Sequence, residues 1–470
     1  MSDIDALFQR QRAHRAVVKR STARERKAKL RRLRDAIVAA RTDIERALHA
    51  DFRKPAFEVD FTEIVSVLEE IDFAIRHVGK WMKPRHALTP FDLFGTRSMI
   101  WPEPRGVVLI IGPWNYPFAL VMSPLVAAIS AGNCAIVKPS ELTPATTDLV
   151  ARVLRGVFPE EEVAVVQGGV DAARSLLALP FDHVFFTGSI PVGKVVMEAA
   201  AKTLASVTLE LGGKSPAIID ESANVPLAAR RVLWAKFINA GQTCVAPDYV
   251  WVHESRAVAF RHAALDVLRE FYGADEVSRR ASPDLSRIIN ARNFVRLKAA
   301  HDGSVAMGAA VDAGGVFDES ERYIAPTILS GVTWDMPIMR DEIFGPILPV
   351  LTYRRIEDVF DELSNMYKPL ALYVFSGTKQ RALDIVRNTS AGGTVVNNAV
   401  IHAGNSHLPF GGVGASGIGN YHGEFGFRTF SHERAVLVQG PWRLLDTTYP
   451  PYGKAKEGLI RAAIKVFSRM

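Results

Sequence analysis

Cysteine is scarce in this chain: two in 470 residues, Cys134 and Cys244. Two thiols cannot build the cross-linked framework of a secreted scaffold, so a reducing environment is expected. Long apolar runs are missing too. Stretches such as Val107–Ile111 fall far short of the roughly 20 residues of a membrane-spanning helix. The opening Met-Ser-Asp-Ile-Asp has no basic segment leading into an apolar one. This predicts no signal peptide and a cytoplasmic protein. Metal-ligand spacings are lacking: there is no His-Glu-x-x-His and no Cys-x-x-Cys, and His402, His407, His422 and His432 do not follow ligand spacing. No metal is expected. A Gly-x-Ser-x-Gly hydrolase elbow is absent, as are nucleic-acid-binding signatures and internal repeats.

What remains is an ordinary globular composition, with 48% hydrophobic and 23% charged residues. Chains of this length divide into domains of roughly 100–200 residues each. The net charge of +7 is uneven. Residues 1–34 carry twelve Lys/Arg against three Asp/Glu, so the rest of the chain sums to −2. Residues 453–470 add Lys454, Lys456, Arg461, Lys465 and Arg469 against Glu457. Such basic helices are either solvated faces or surfaces for an anionic partner such as a membrane.

Periodicity separates the chain into regimes. Residues 3–49 and 57–82 carry apolar residues every three or four positions and predict helices, the second ending at Pro84. Residues 85–104 read as a polar hairpin excursion. From Val107 short apolar strands (107–111, 134–137, 163–166, 183–186, 207–211) alternate with helices (118–130, 144–157, 171–178, 191–202). That alternation predicts an α/β fold with a parallel, Rossmann-like, doubly wound sheet. Cys134 lies inside one such strand and reads as an inert, buried thiol. A second α/β unit follows, with helices at 225–239, 256–271, 356–366 and 378–388 and strands at 248–253, 371–375 and 394–397. The stretch from 272 to 320 reads as irregular. Residues 403–420 form a Gly-rich loop, and 425–439 read as strand that pairs with the 85–104 hairpin as a small β arm. The expected domains are 1–84 with 102–209, 210–410, the arm from 85–101 and 411–440, and a tail, 441–470.

Chemistry-bearing residues cluster after strands, where open α/β sheets bind ligands. Cys244 follows Gly-Gln-Thr, a setting for an exposed nucleophile as well as for a buried thiol. Glu210 ends a strand before Gly212-Gly213: a general base on water, or a solvated carboxylate. Asn115 in Gly-Pro-Trp-Asn-Tyr-Pro either donates to an oxyanion or shapes a turn. Lys138 and Glu141 suit ribose hydroxyls, or form a surface ion pair. Glu141 would repel a 2′-phosphate, so NAD is expected ahead of NADP. Thr187-Gly188-Ser189 with Gly193 opens a helix, where a pyrophosphate binds N–H groups. A formal Gly-x-Gly-x-x-Gly at Gly412, Gly414 and Gly417 follows no strand and reads as a tight loop.

Taken together, these stretches resemble the aldehyde dehydrogenase superfamily. The motifs are Gly-Pro-Trp-Asn-Tyr-Pro (112–117), Lys-Pro-Ser-Glu (138–141), Phe-Thr-Gly-Ser (186–189), Leu-Glu-Leu-Gly-Gly-Lys-Ser-Pro (209–216) and Gly-Gln-Thr-Cys-Val-Ala-Pro-Asp-Tyr (241–249). Glu-Ile-Phe-Gly-Pro (342–346) and Pro-Phe-Gly-Gly-Val-Gly-Ala-Ser-Gly-Ile-Gly (409–419) complete the set. The likeness spans roughly residues 5–453 and is strongest to the class 3 branch of fatty-, aromatic- and coniferyl-aldehyde dehydrogenases, which Tyr116 also suits. It implies Cys244 as nucleophile, Glu210 as deacylating base with Glu342 as the alternative, and Asn115 with the Cys244 N–H as oxyanion hole. It implies cofactor contacts at Lys138, Glu141, Thr187, Gly188, Ser189, Gly193, Leu211, Glu342 and Phe344. It also implies a homodimer built through the arm. Phe61, Ile64, Val400 and Ile401 are expected to line the substrate entry, favouring apolar or aromatic aldehydes. The tail differs from the apolar anchor of membrane-bound fatty-aldehyde enzymes: Leu459, Ile460, Ala463, Ile464 and Phe467 share one face of a basic helix, as suits weak interfacial association.

The expected reaction is NAD(P)-dependent oxidation of an aldehyde to its acid through a Cys244 thiohemiacetal and thioester. Two alternatives stand beside it. An acylating relative would pass the thioester to coenzyme A, but Glu210 argues for water. A non-catalytic relative could lose Cys244, Glu210 or Asn115 without penalty, and all three are present.

Overall fold

The computed structural model describes residues 3–442, 446 and 448–468. Arg469 and part of the 441–470 tail lie outside the described residues. The first helical stretch divides into Asp3–Lys19, Ala23–Ala39 and Arg41–Phe52. The first break is enforced by a capping box: the Thr22 side chain accepts from the Glu25 N–H, and Glu25 accepts from the Thr22 N–H at 2.7 Å. Leu30, Leu33, Ile37, Ile44 and Leu48 are all fully buried, as their spacing predicts. The next stretch is Ala56–Val59, a wide π-turn at Asp60–Val65, and Ser66–Trp81. Such turns insert one extra residue and redirect the faces that follow.

Two sheets carry the molecule. The first has six strands in the order Gly417–Ile418, Ser206–Glu210, His183–Thr187, Val107–Ile111, Cys134–Lys138, Val163–Val165. Its pairs are parallel except at Gly417–Ile418. Three of these strands, at 107, 134 and 183, are buried along their whole length, which is why they read as unbroken apolar runs. The second sheet has seven strands in the order Ala310–Ala313, Thr327–Ser330, Ile347–Tyr353, Tyr249–His253, Pro216–Ile219, Ala371–Phe375, Gly393–Val396. Only its first pair is antiparallel. Both sheets are thus α/β and mainly parallel, as expected.

Several local expectations need correcting. The stretch from 272 to 320 is not irregular: it holds helices Glu276–Ala281 and Ala291–Ala306 and strand Ala310–Ala313. The longer helix buries only Phe294, Leu297, His301 and Ser304, too narrow and polar a stripe to stand out. Strands Pro216–Ile219 and Ile347–Tyr353 contain prolines that mask them as strands. Residues 423–429 are a helix (Gly423–Thr429), so the last arm strand is Ser431–Gln439 rather than 425–439. That strand pairs along its full length with Thr96–Pro104, which in turn pairs with Arg85–His86. Within 411–430 the chain returns to the first sheet, through Gly417–Ile418 beside Ser206–Glu210.

One glycine shows how tightly the first layer is set. Gly132 ends helix Ala119–Ala131 at φ 89°, and a Cβ there would sit 2.4 Å from Arg26 Nη2. The Arg26 guanidinium cannot retreat: it is buried and donates to Ser130 O and Ser21 Oγ, each at 2.9 Å. Gly132→Ala is expected to cost about 1–3 kcal/mol, read as a lower urea midpoint at unchanged slope.

Candidate active site

Strand register gathers the motifs on one edge. Ile111 is opposite both Lys138 and Phe186, and Thr187 is opposite Glu210. The turns that follow these strands, 112–117, 138–141, 187–189 and 211–214, therefore emerge side by side at the carboxyl edge of the first sheet.

Cys244 reaches this edge from the other unit. Helix Val225–Phe237 is followed by three left-handed residues, Asn239, Ala240 and Gly241, with φ of 55°, 52° and 73°. Only glycine fits at 241, since a Cβ would lie 2.3 Å from Gly345 O. Beyond it the Thr243–Ala246 turn is closed by a bond from Ala246 N–H to Thr243 O at 2.9 Å. Tyr116 Oη and Thr243 Oγ1 are 2.7 Å apart, and Tyr373 Oη donates to Val245 O.

A cavity of about 270 Å³ brings Cys244, Glu210, Leu211, Thr187 and Thr243 together. Its walls include Phe61, Leu120, Trp234, Ile238, Val400 and Ile401. Ile64 is not among them. It is packed in the core, while the π-turn presents Phe61, Thr62 and Val65 to the cavity. Asn115 is buried directly before the wall residue Tyr116, and its carbonyl accepts from Asn239 Nδ2 at 2.9 Å.

Electrostatics in the cavity are dominated by desolvation. Burial drives the Glu210 carboxyl well above its ordinary range, and neither oxygen has a protein hydrogen-bond partner. Burial and the Asp248 charge push Glu342 up to about 8, against the opposing pull of the Gly213 N–H, Lys214 and Arg296. Burial, then the charges of Glu342 and Glu210, push Cys244 up to about 12, while the N–H groups of Cys244 and Val245 act in favour of the thiolate. Cys134 lies in a strand and is fully buried, and its thiol is also pushed up to about 12 by burial, as an inert thiol should be.

The expected cofactor residues occupy the neighbouring turns. Lys138 is buried, its ammonium donating to Glu141 Oε2 and Pro139 O, both at 3.0 Å. Ser189 precedes helix Ile190–Ala201, and its side chain makes no capping bond, which leaves first-turn N–H groups for a ligand. Thr187 Oγ1 is buried without a partner. A Cβ on Gly188 would lie 2.5 Å from the Phe186 ring, and one on Gly193 would lie 2.7 Å from Leu211 Cδ2. Gly193 is therefore required by helix-on-strand packing. The Glu342 carboxylate lies against Gly212, where a Cβ would come within 2.2 Å of it. Phe344 stands edge-to-face with Trp114 at 5.3 Å. Uncapped N–H groups and an orphaned hydroxyl after strand His183–Thr187, with a Lys–Glu pair after strand Cys134–Lys138, fit a dinucleotide. The glycines of 412–417 form a tight turn and open no helix: Gly417 pairs with Glu210, and a Cβ on Gly412 would be 2.0 Å from Ser416 O.

Sequence reasoning missed the buried Lys214–Asp248 pair at 2.5 Å. Asp248 Oδ1 also accepts from Ile343 N–H at 2.9 Å, fixing the Glu342–Phe344 segment. Charged residues inside otherwise apolar motifs were the available signal.

Residues 1–436 match the model of the aldehyde dehydrogenase family. The chain belongs to that family. It is 45% identical to the 4,4'-diaponeurosporen-aldehyde dehydrogenase of Staphylococcus aureus, over 94% of each chain. It is 42% identical to aldehyde dehydrogenase family 3 member A2 of Rattus norvegicus, over 91% of this chain and 87% of that one. The substrate-bound structure of Staphylococcus aureus AldH superposes with a TM-score of 0.94 at 43% identity, covering 99% of this chain and 100% of that one. An NAD+ complex of an aldehyde dehydrogenase from Bacillus cereus matches at 0.84 and 28%, covering 93% and 89%. The protein is an NAD(P)-dependent aldehyde dehydrogenase, oxidising an aldehyde to the acid.

A carboxyl that titrates near 8 when folded, against an ordinary 4.5, binds its proton more tightly in the folded chain. The stability it contributes is full below its unfolded pKa and is lost as pH rises through the folded value. The wild-type melting temperature is expected to fall more steeply than that of Glu342→Gln between about pH 4.5 and pH 8, and the two to run parallel above that. Parallel curves would refute the assignment.

Proposed function

We propose that this dehydrogenase oxidises apolar aliphatic or aromatic aldehydes, with Cys244 as nucleophile, Asn115 as oxyanion donor and Glu210 as deacylating base. The observation that carries this reading is one cavity with Cys244 and Glu210 together and a mainly apolar, aromatic wall. Such a wall favours substrates whose tail gains by leaving water.

The thiol is held protonated by burial, and further by Glu342 and Glu210 when they are charged. A cation seated beside it shifts that balance toward thiolate. The Lys138–Glu141 and Thr187–Ser189 turns would hold NAD+, with Glu342 and Phe344 toward its nicotinamide end, and the bound cofactor would supply that positive charge and accept a hydride. Cys244 Sγ attacks the carbonyl carbon, and the Asn115 amide and the Cys244 N–H donate to the new alkoxide. Loss of hydride leaves a thioester on Cys244. Glu210 then takes a proton from water, which attacks the thioester and releases the acid. Glu210 has no protein partner that would compete for this water. That supports hydrolysis over transfer to coenzyme A. Glu141, poised to accept from a ribose 2′-hydroxyl, supports NAD over NADP.

The same reading includes a cytoplasmic homodimer. Its support is the arm, where Trp101, Leu437 and Val438 are exposed on paired strands. The tail helix Lys454–Phe467 exposes Leu459, Ile460, Ile464 and Phe467 among Lys454, Lys456, Arg461 and Lys465. Among the described residues no helix is long and apolar enough to cross a membrane, so contact with an anionic bilayer would be interfacial.

Cys244→Ala is expected to abolish NADH formation, and full turnover would refute the scheme. Glu210→Gln should give one burst of NADH and then slow by roughly 10²-fold or more. The steady rate should rise with pH in the wild type as the raised Glu210 carboxyl ionises, and this dependence should weaken in Glu210→Gln. Among hexanal, decanal, benzaldehyde and coniferaldehyde, kcat/KM should exceed that for acetaldehyde. Full-length protein should float with acidic liposomes and the 1–452 chain should not, while both sediment as dimers. Equal flotation would remove the tail from the reading, and monomers would remove the arm.

A further inference from the structure

We propose that Glu58, far from the motifs in sequence, is a positioning residue: its carboxylate holds the left-handed turn that ties the Asn115 segment to the Cys244 segment. This rests on the roles given above to Asn115 and Cys244.

Asn239 and Ala240 adopt positive φ without being glycine, a conformation disfavoured for side chains with a Cβ. Such a turn persists only where its surroundings determine it. Here the Asn239 N–H donates to Glu58 Oε2 at 2.9 Å. The Asn239 amide, so oriented, donates from one nitrogen to Asn115 O at 2.9 Å and to Gln242 O at 3.1 Å. Gln242 returns a bond from Nε2 to Asn239 O at 3.1 Å, and its Oε1 accepts from Ile289 N–H at 2.9 Å. One carboxylate therefore anchors the residue that bridges the proposed oxyanion donor and the turn leading to the thiol.

The anchor is itself held in a charge cluster that grips the Asn115 segment from its other side. Lys54 is fully buried and donates to Glu63 Oε1 at 2.7 Å. Its ammonium lies 3.9 Å from the centre of the Tyr116 ring. Glu63 Oε2 accepts from Ala119 N–H at 2.8 Å. Burial pushes the Glu58 carboxyl up to about 7, while Lys54 and the Asn239 N–H favour its charged form and Asp284 opposes it. The helix Ala56–Val59 and the π-turn after it thus present two carboxylates to the two ends of the catalytic assembly. Glu58 touches neither substrate nor thiol, so its contribution is geometric. Displacements of about 1 Å in such assemblies cost up to 10²-fold in rate.

The test compares Glu58→Ala, which removes the acceptor, with Glu58→Gln, which keeps an oxygen for the Asn239 N–H. Single-turnover NADH bursts with decanal and NAD+ are read together with KM and the melting temperature. Glu58→Ala is expected to slow the burst about 10-fold or more while the KM for NAD+ stays within about 2-fold. Glu58→Gln should stay within about 3-fold of wild type. Asn239→Asp, which cannot donate to Asn115 O, should reproduce the Glu58→Ala burst defect. It also serves where Glu58→Ala folds poorly. Glu58→Ala and Asn115→Ala together should lose less than the product of their single losses. A wild-type burst in Glu58→Ala, a Glu58→Gln defect as deep as that of Glu58→Ala, or independent losses in the double variant would each overturn the proposal. An intact burst in Asn115→Ala or Cys244→Ala would instead sink the assigned catalytic roles, and the two failures are distinguishable.

Discussion

A thiol and two carboxyl groups interact away from water, and the surrounding structure is arranged to tolerate that. Near each other and away from water, Cys244, Glu210 and Glu342 all favour their neutral forms. Their charges become accessible only through something that enters the cavity. The protein supplies fixed donors instead: the Cys244 and Val245 N–H groups beside the sulfur and the Gly213 N–H beside Glu342. Such preoriented dipoles do not reorganise during the reaction, whereas water would. The buried Lys214–Asp248 pair adjoins the Gly213 turn, and the buried Lys54–Glu63 pair grips the Tyr116–Ala119 segment. Breaking one partner of such a pair strands the other, so these positions are intolerant in a way their distance from the thiol does not suggest.

Both sheets were legible in the sequence wherever strands were short, apolar and parallel, because full burial leaves no polar alternation to confuse the reading. Strands with proline inside or just before them, 216–219, 327–330 and 347–353, were not. The helix at 291–306 was hidden by its narrow apolar stripe. Ile64 was misplaced since one π-turn shifts which residues face the cavity, and no periodicity announces that turn. For the site, the residues within motifs were legible, and strand register explains why they meet. Glu58 and Lys54 were not, because each is an isolated charge in a helical region whose partners lie far along the chain.

The two sheets also divide the labour. The first brings the 112–117, 138–141 and 187–189 turns and Glu210 to a common edge. The second delivers Cys244 and the Glu342–Phe344 segment from strands that never pair with the first. The reacting groups therefore face one another across an apolar seam rather than along one strand edge, which leaves room for a substrate between them.

The pairing of Gly417 with Glu210 has a consequence in time as well as in space. The strand bearing Glu210 has His183–Thr187 on one side, made shortly before it, but its other neighbour comes some two hundred residues later. Throughout synthesis of the second sheet that edge stays open, its backbone groups unsatisfied by the chain. Only when residues 417 and 418 emerge does the last strand seal it and fix the carboxylate in place. The nascent protein thus carries its thiol long before it carries a finished site, which keeps a reactive centre incomplete until nearly the whole chain has been made.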